Sequence, residues 1–136
     1  SVYSYVADHA DTGLLGIYTA ANREQERAAY DAIRRTVLDF ADRGPTQEEL
    51  DRARDQAKAG LLLGQESVQA RMSQLGASRL LYGRVRTVDE ALAGYEAVTR
   101  EQLHALAQEI FRFENASLSA VGRVSGTEVY ASLRLG

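Results

Sequence analysis

A long run of apolar and small residues at helical spacing dominates the chain between Thr46 and Gly83. The spacing of three or four positions places these residues on one face of an α-helix. Such a helix would extend roughly 55 Å, whereas a domain of this length has a radius of gyration of about 14 Å. We therefore expect the helix to bend at Gly60, Gly64 or Gly76, or to extend beyond its own domain as part of something larger. The residues of this stripe are Leu50, Ala53, Ala57, Leu61, Gly64, Val68, Met72, Leu75, Arg79 and Tyr82.

Two strand-like segments open the chain. Residues 1–7 alternate small or polar side chains with bulky ones, and residues 14–19 form a second such segment after the turn-forming cluster 8–13. This pattern predicts an antiparallel hairpin. Gly16, inside the second strand, indicates a bulge or a close backbone approach.

The other helices are predicted from their starts. In a capping box, a Thr side chain and a Glu or Gln three residues later satisfy free backbone donors at the helix start. The predicted helices are 23–43, 88–98 and 100–111, and the first buries Ala29, Ile33, Val37, Phe40 and Ala41. A third strand is expected at 116–122, and a cap for a short final helix at 125–128. The boxes are Thr46 with Glu49, Thr87 with Glu90 and Thr99 with Gln102, and Asn22 with Gln25 is a related pair.

The resulting fold class is α+β, with an antiparallel sheet packed on helices. Three strands are few for so much helix, so we expect an incomplete lobe whose sheet continues elsewhere and whose strand edges are open. The chain has 136 residues, enough for one domain. Its net charge is −3, and the charged residues are spread along the chain rather than clustered in blocks. This argues against nucleic acid and anionic membranes as partners. There is no long apolar run, and we expect a cytoplasmic protein.

The sequence predicts no catalytic residue and no metal site. There is no cysteine, and neither His9 nor His104 lies in H-x-x-E-H or H-E-x-x-H. A turn that uses Asp8 and Asp11 explains the surroundings of His9 better than metal or acid/base chemistry does. Tyr3, Tyr5 and Tyr18 are candidates for a binding surface, although tyrosine is common in strands. Of these, Tyr3 and Tyr5 are the candidate substrate-binding residues.

Five stretches, taken in order, resemble the pitrilysin/insulinase family of metallopeptidases, which includes the mitochondrial processing peptidase. Residues 1–18 resemble a hairpin of that family, and 44–53 resemble its G-x-T-x-E-E-L-x-R-A helix start. Residues 63–67 with Arg71 resemble L-x-x-E-S followed by Arg. Residues 98–103 resemble V-T-x-E-x-L, and 117–122 resemble its last strand.

The resemblance implies two similar lobes around a chamber. The first lobe carries H-x-x-E-H and zinc, and the second lacks the motif and helps to hold the peptide. Residues 1–136 resemble the C-terminal part of this second, non-catalytic lobe. The family's Arg and Tyr of R-x6-Y precede the matching start, so neither is carried over to this chain.

The same resemblance implies the partners of the chain. Zinc is expected only in an N-terminal lobe that precedes Ser1, in the same chain or in a partner chain. The parent protein would be a zinc metalloendopeptidase, and this chain alone is expected to be inactive. A peptide substrate and a second copy of the chain are the other expected partners.

Two alternatives stay open at this point. One is a non-catalytic scaffold or partner subunit of the same fold, and the other is an unrelated α+β domain that binds a small ligand. An H-x-x-E-H motif upstream of Ser1 would separate the favoured interpretation from the scaffold. A different strand order would favour the unrelated domain.

Overall fold

The computed structural model describes residues 1–9, 11–112, 116–126 and Tyr130. Its antiparallel hairpin and helices confirm the predicted α+β class. Two units are distinguished, Ser1–Arg43 with Leu106–Gly136, and Gly44–Ala105. The elements in chain order are β1 (Val2–Asp8), β2 (Gly13–Thr19), a 3-10 turn (Arg23–Gln25), α1 (Glu26–Arg43), α2 (Gln47–Gly64), α3 (Val68–Tyr82), α4 (Val88–Glu96) and α5 (Arg100–Ile110).

The predicted hairpin is confirmed, and its register is continuous from Val2 opposite Thr19 to Asp8 opposite Gly13. At one end the Ala20 N–H donates to the Ser1 carbonyl at 3.1 Å, and at the other the His9 N–H donates to the Thr12 carbonyl at 2.8 Å. Hydrogen-bonded and non-hydrogen-bonded pairs alternate in an antiparallel ladder. The odd-numbered residues of β1 therefore bond to β2, and the even-numbered ones direct their backbone groups away from it.

Gly16 does not form a bulge, because the register passes through the Tyr5–Gly16 pair without interruption. The expected close approach exists, but it involves a ring rather than backbone. A Cβ built on Gly16 would lie 2.7 Å from the Tyr5 hydroxyl oxygen and still closer to two carbons of that ring. The glycine thus makes room for the side chain opposite it.

The helix starts are formed by the predicted capping residues. Thr46 Oγ1 accepts from the Glu49 N–H at 3.2 Å, and a Glu49 carboxylate oxygen accepts from the Thr46 N–H at 2.8 Å. Thr87 with Glu90 and Thr99 with Gln102 make the same two bonds. Each box satisfies free donors locally, without help from distant parts of the chain.

The single long helix predicted over residues 46–83 is wrong, because the helix breaks after Gly64, one of the expected bending points. The N–H groups of Gln65, Glu66 and Ser67 bond three residues back, at 3.0 to 3.2 Å, in a tightened last turn. Ser67 Oγ then accepts from the Ala70 N–H at 3.2 Å and caps α3 as a new helix. The apolar spacing continues across the break, which is why periodicity alone did not reveal it.

The strand predicted at 116–122 is also wrong. The described residues contain a single two-stranded sheet of β1 and β2, and residues 116–122 are in no ladder. A strand needs a neighbour to satisfy its backbone groups, and local sequence cannot supply one. Farther along, Ser125 donates to the Glu26 carboxylate through its N–H at 3.0 Å and its hydroxyl at 2.9 Å. The second half of the expected cap at 125–128, and most of the residues that could form the short final helix after it, lie outside the described residues.

Burial is limited in the described part of the chain. The buried apolar side chains there are Pro45, Leu50 and Ala107. The predicted inner face of α1 is half-buried, and its Phe40 ring meets Phe111 edge-on at 6.2 Å. The apolar stripe of α3 is exposed instead, and Val68 retains 84% of its accessible surface. The stripe residues left exposed on α3 are Val68, Met72, Leu75, Arg79 and Tyr82.

The start of α4 should be sensitive to acid. The Thr87 backbone N–H, and after it the Arg84 side chain, hold the pKa of the Glu90 carboxyl below its ordinary value. A carboxyl whose pKa is lowered by folding stabilises the folded state. This stabilisation is complete above the ordinary carboxyl pKa and is lost as pH falls through the lowered pKa. We expect the NMR titration midpoint of the Glu90 carboxyl carbon to be lower in the folded chain than in urea. Equal midpoints would contradict the capping role.

Candidate functional site

The most distinctive surface of the described chain is one face of the hairpin. In an antiparallel pair, residues that lie opposite each other share a face and alternate residues switch faces. Tyr3 lies opposite Tyr18, and Tyr5 lies opposite Gly16 two positions along. All three tyrosines therefore lie on one side, which we call the tyrosine face. Its members are Tyr3, Tyr5, Ala7, Leu14, Gly16 and Tyr18.

The three rings form a continuous cluster. The Tyr3 and Tyr18 ring centroids lie 5.0 Å apart with the planes at 32°, and those of Tyr3 and Tyr5 lie 6.2 Å apart at 46°. Both distances fall in the range of attractive aromatic pairs. The rings nevertheless remain about half exposed, at 55% for Tyr3 and 48% for Tyr5 and Tyr18. A preformed aromatic surface is thus open to a partner.

The opposite side of the same hairpin, which we call the aliphatic face, is also exposed. It carries Val2, Val6, Leu15 and Ile17 around Ser4. Val2 and Val6 keep 63% and 64% of their accessible surface. A two-stranded hairpin with two open apolar faces is marginally stable on its own in water. Both faces therefore have the composition of surfaces that are covered in a larger structure.

The tyrosine face has the chemistry of a contact surface. Its members include no carboxylate, imidazole, amine or guanidinium. Tyrosine combines a large apolar ring with a hydroxyl that both donates and accepts. The face can therefore pack against apolar or aromatic side chains and hydrogen-bond to a peptide backbone.

The two histidines are not brought into a metal site. His9 follows β1 in the hairpin connection, and the His104 ring lies beside Gly44. The residues that the structure describes contain no group of three His, Cys, Asp or Glu side chains placed to hold a metal ion. Zinc of the catalytic type needs three protein ligands. The described residues therefore do not fit a zinc centre.

A cleft of about 310 Å³ lies beside the starts of α2 and α5. Its two arginines are already engaged: Arg54 donates to the carbonyls of Tyr95 at 3.2 Å and Val98 at 2.9 Å, and Arg100 donates to the Pro45 carbonyl at 2.9 Å. Arg54, in the middle of α2, thus binds carbonyls at and just after the end of α4, and Arg100, at the start of α5, binds the carbonyl that precedes the Thr46 cap. We interpret the cleft as a place where the helices are held together by these hydrogen bonds, not as a ligand site.

The sequence predicts Tyr3 and Tyr5 as candidate substrate-binding residues, and the hairpin places both on the tyrosine face. The sequence also places Tyr18 among the candidates for a binding surface and indicates an irregularity at Gly16, but it does not show that these two residues lie opposite Tyr3 and Tyr5. The hairpin register would have found both, since it pairs Tyr3 with Tyr18 and Tyr5 with Gly16.

Among the described helices, none combines the length and apolar content that a bilayer crossing requires.

Comparison with known proteins gives a consistent family. Residues 1–57 match the family model described as the Peptidase M16 inactive domain. An uncharacterised zinc protease of Bacillus subtilis is 34% identical over 111 residues, covering 82% of this chain and 27% of the relative. One of Streptomyces coelicolor is 34% identical over 122 residues, covering 90% of this chain and 26% of that relative.

A third relative links the chain to the processing peptidases. The beta subunit of the mitochondrial-processing peptidase of Lentinula edodes is 28% identical over 136 residues, covering 98% of this chain and 29% of that subunit. The chain thus spans between a quarter and a third of the relatives it matches. It belongs to the M16 family, the pitrilysin/insulinase metallopeptidases that its motifs indicate, and residues 1–57 match the family's inactive domain.

Proposed function

We propose that this chain helps to enclose and bind a peptide substrate, as part of the zinc-free C-terminal lobe of a zinc-peptidase-like protein. The observation that carries the proposal is the exposed cluster of Tyr3, Tyr5 and Tyr18. It lies within residues 1–57, the segment that matches the inactive domain. An aromatic surface without charge suits an unstructured peptide of varied sequence, because rings pack against many side chains.

The proposal divides the chemistry between two lobes. Hydrolysis through a metal requires a bound ion with an open position. Zinc and the residues that activate water would belong to a separate N-terminal lobe, and this chain would supply surface. We therefore propose no catalytic residue here and expect no chelator-sensitive cleavage of peptides by the chain alone.

Removing one ring should weaken peptide binding. Tyr3 contacts both of the other rings, so Tyr3→Ala removes the centre of the cluster. Each aromatic contact contributes about 0.5–1.5 kcal/mol beyond its buried area, so the dissociation constant should rise about twofold to twelvefold. Fluorescence anisotropy with a pool of labelled, unstructured peptides measures this change.

Tyr82→Ala is the matched control, because Tyr82 is exposed to the same degree, 57% against 55%, but lies on α3. Its removal should leave the anisotropy titration unchanged. Equal weakening by both substitutions would show that tyrosines bind these peptides nonspecifically. Absence of any binding by the unmodified chain would contradict the proposed function.

A scaffold role is the second candidate, and the exposed Val2 and Val6 of the aliphatic face favour it. In that case the hairpin would contact another lobe rather than a peptide. Val2→Ser should then weaken association with a separately produced N-terminal lobe of a relative, while Tyr3→Ala leaves peptide binding unchanged. Sedimentation of the mixed proteins distinguishes the two roles.

A further inference from the structure

At Gly16 the side chain of the opposing residue, Tyr5, lies over the backbone of β2. A Cβ there would lie 2.7 Å from the Tyr5 hydroxyl oxygen, and closer still to ring carbons Cε1 and Cζ. Real Cβ contacts are essentially never this short. The Tyr5 ring therefore occupies the space that any other residue at position 16 would fill.

We infer that Gly16 is a positioning residue for the tyrosine face, which holds the Tyr5 ring across β2 beside Tyr3. The inference rests on the proposed function only for its consequence in peptide binding. Its structural content is independent, because it concerns where one ring lies. A glycine beneath a cross-strand aromatic ring is a known way of fitting both into a sheet.

The atoms that a Cβ would meet belong to the far end of the Tyr5 side chain. That end can swing away by rotation about its side-chain torsions, so the backbone ladder need not open. Alanine also has a lower conformational entropy cost in a strand than glycine. Gly16→Ala should therefore keep the hairpin folded, displace the Tyr5 ring and separate it from Tyr3.

A double-mutant cycle tests this coupling between Gly16 and Tyr5. The four proteins are the unmodified chain, Gly16→Ala, Tyr5→Ala and the double variant. NMR reports the contacts between the Tyr3 and Tyr5 rings and the backbone pairing of β1 with β2. Gly16→Ala should abolish the contact between these two rings, keep the contact between Tyr3 and Tyr18, and preserve the backbone pairing.

Peptide affinity gives a second readout that a purely structural role would not change. Gly16→Ala should weaken binding of the labelled peptide pool by about twofold to twelvefold, as loss of one aromatic contact predicts. In the Tyr5→Ala background the same substitution should have no further effect, because the displaced ring is already absent. Ser4→Ala is the control, since Ser4 lies in the middle of β1 on the aliphatic face.

The outcomes separate this inference from the proposed function. If the unmodified chain binds no peptide, the proposed function fails, and the ring contacts still decide the role of Gly16. The inference is overturned if Gly16→Ala leaves the Tyr3–Tyr5 contact intact, or if the hairpin ladder is lost. It is also overturned if the substitution weakens binding equally with and without the Tyr5 ring.

Discussion

Gly44→Ala should be among the most destabilising single substitutions in this chain. Gly44 follows α1 with φ of +69°, in the left-handed region. An L-residue there costs about 1–2 kcal/mol. The added Cβ would also lie 2.8 Å from Cγ and 2.9 Å from Cβ of His104. Overpacking of this kind costs about 1–3 kcal/mol, so the free energy of unfolding should fall by about 2–5 kcal/mol.

Gly83→Ala is a matched control that isolates the backbone term. Gly83 has φ of +68°, but a Cβ there would meet no atom within 4 Å. Gly83→Ala should therefore lower the free energy of unfolding by only about 1–2 kcal/mol, the cost of placing an L-residue in the left-handed region. Urea unfolding followed by circular dichroism gives both values. If Gly44→Ala lowers the free energy of unfolding no more than Gly83→Ala does, the contact with His104 does not restrict the residue at position 44.

The structure gives several residues of the family-like motifs a physical role. In the 44–53 stretch, Gly44 supplies the left-handed turn, Thr46 caps α2 and Leu50 is buried at 5% exposure. In the 63–67 stretch, Ser67 caps α3. These motifs thus specify turns, helix starts and packing rather than chemistry. The 44–53 stretch lies within the segment that matches the family's inactive domain.

Features decided within a few residues were predictable from sequence. The capping residues at Thr46, Thr87 and Thr99 make the bonds expected of them, because donor and acceptor are three positions apart. Gly64, where the helix breaks, was only one of three expected bending points. Its position depends on Ser67 competing successfully for the start of a new helix, an outcome that apolar spacing does not encode.

Features that need a distant partner were not predictable. Residues 116–122 have the composition of a strand, but β-propensity expresses packing against neighbours rather than a backbone preference. No neighbouring strand pairs with them in the described chain. The tyrosine face lies between these cases. Alternation placed Tyr3 and Tyr5 together, whereas Tyr18 and Gly16 required the register across the turn.

We expect the chain to self-associate by pairing along the open edge of β1. The bonded pairs at Ser1–Ala20 and His9–Thr12 fix the ladder so that the backbone groups of Val2, Ser4 and Val6 point away from β2. Free groups of this kind template pairing with another strand. A second copy of the chain supplies an identical edge and can also cover the apolar side chains of the hairpin. Light scattering should therefore report about twice the chain mass of 14.9 kDa.

Val6→Pro should return the chain to a monomer without unfolding the hairpin. Proline removes the Val6 N–H, which points outward, and such a position on an edge strand tolerates it. Val6→Thr is the control, because it keeps both the N–H and the branched side chain. The dimer should persist with threonine and dissociate with proline. A stable monomer of the unmodified chain at high concentration would contradict self-association. A dimer that survives Val6→Pro would rule out pairing through this edge and favour exchange of the hairpin formed by residues 1–20.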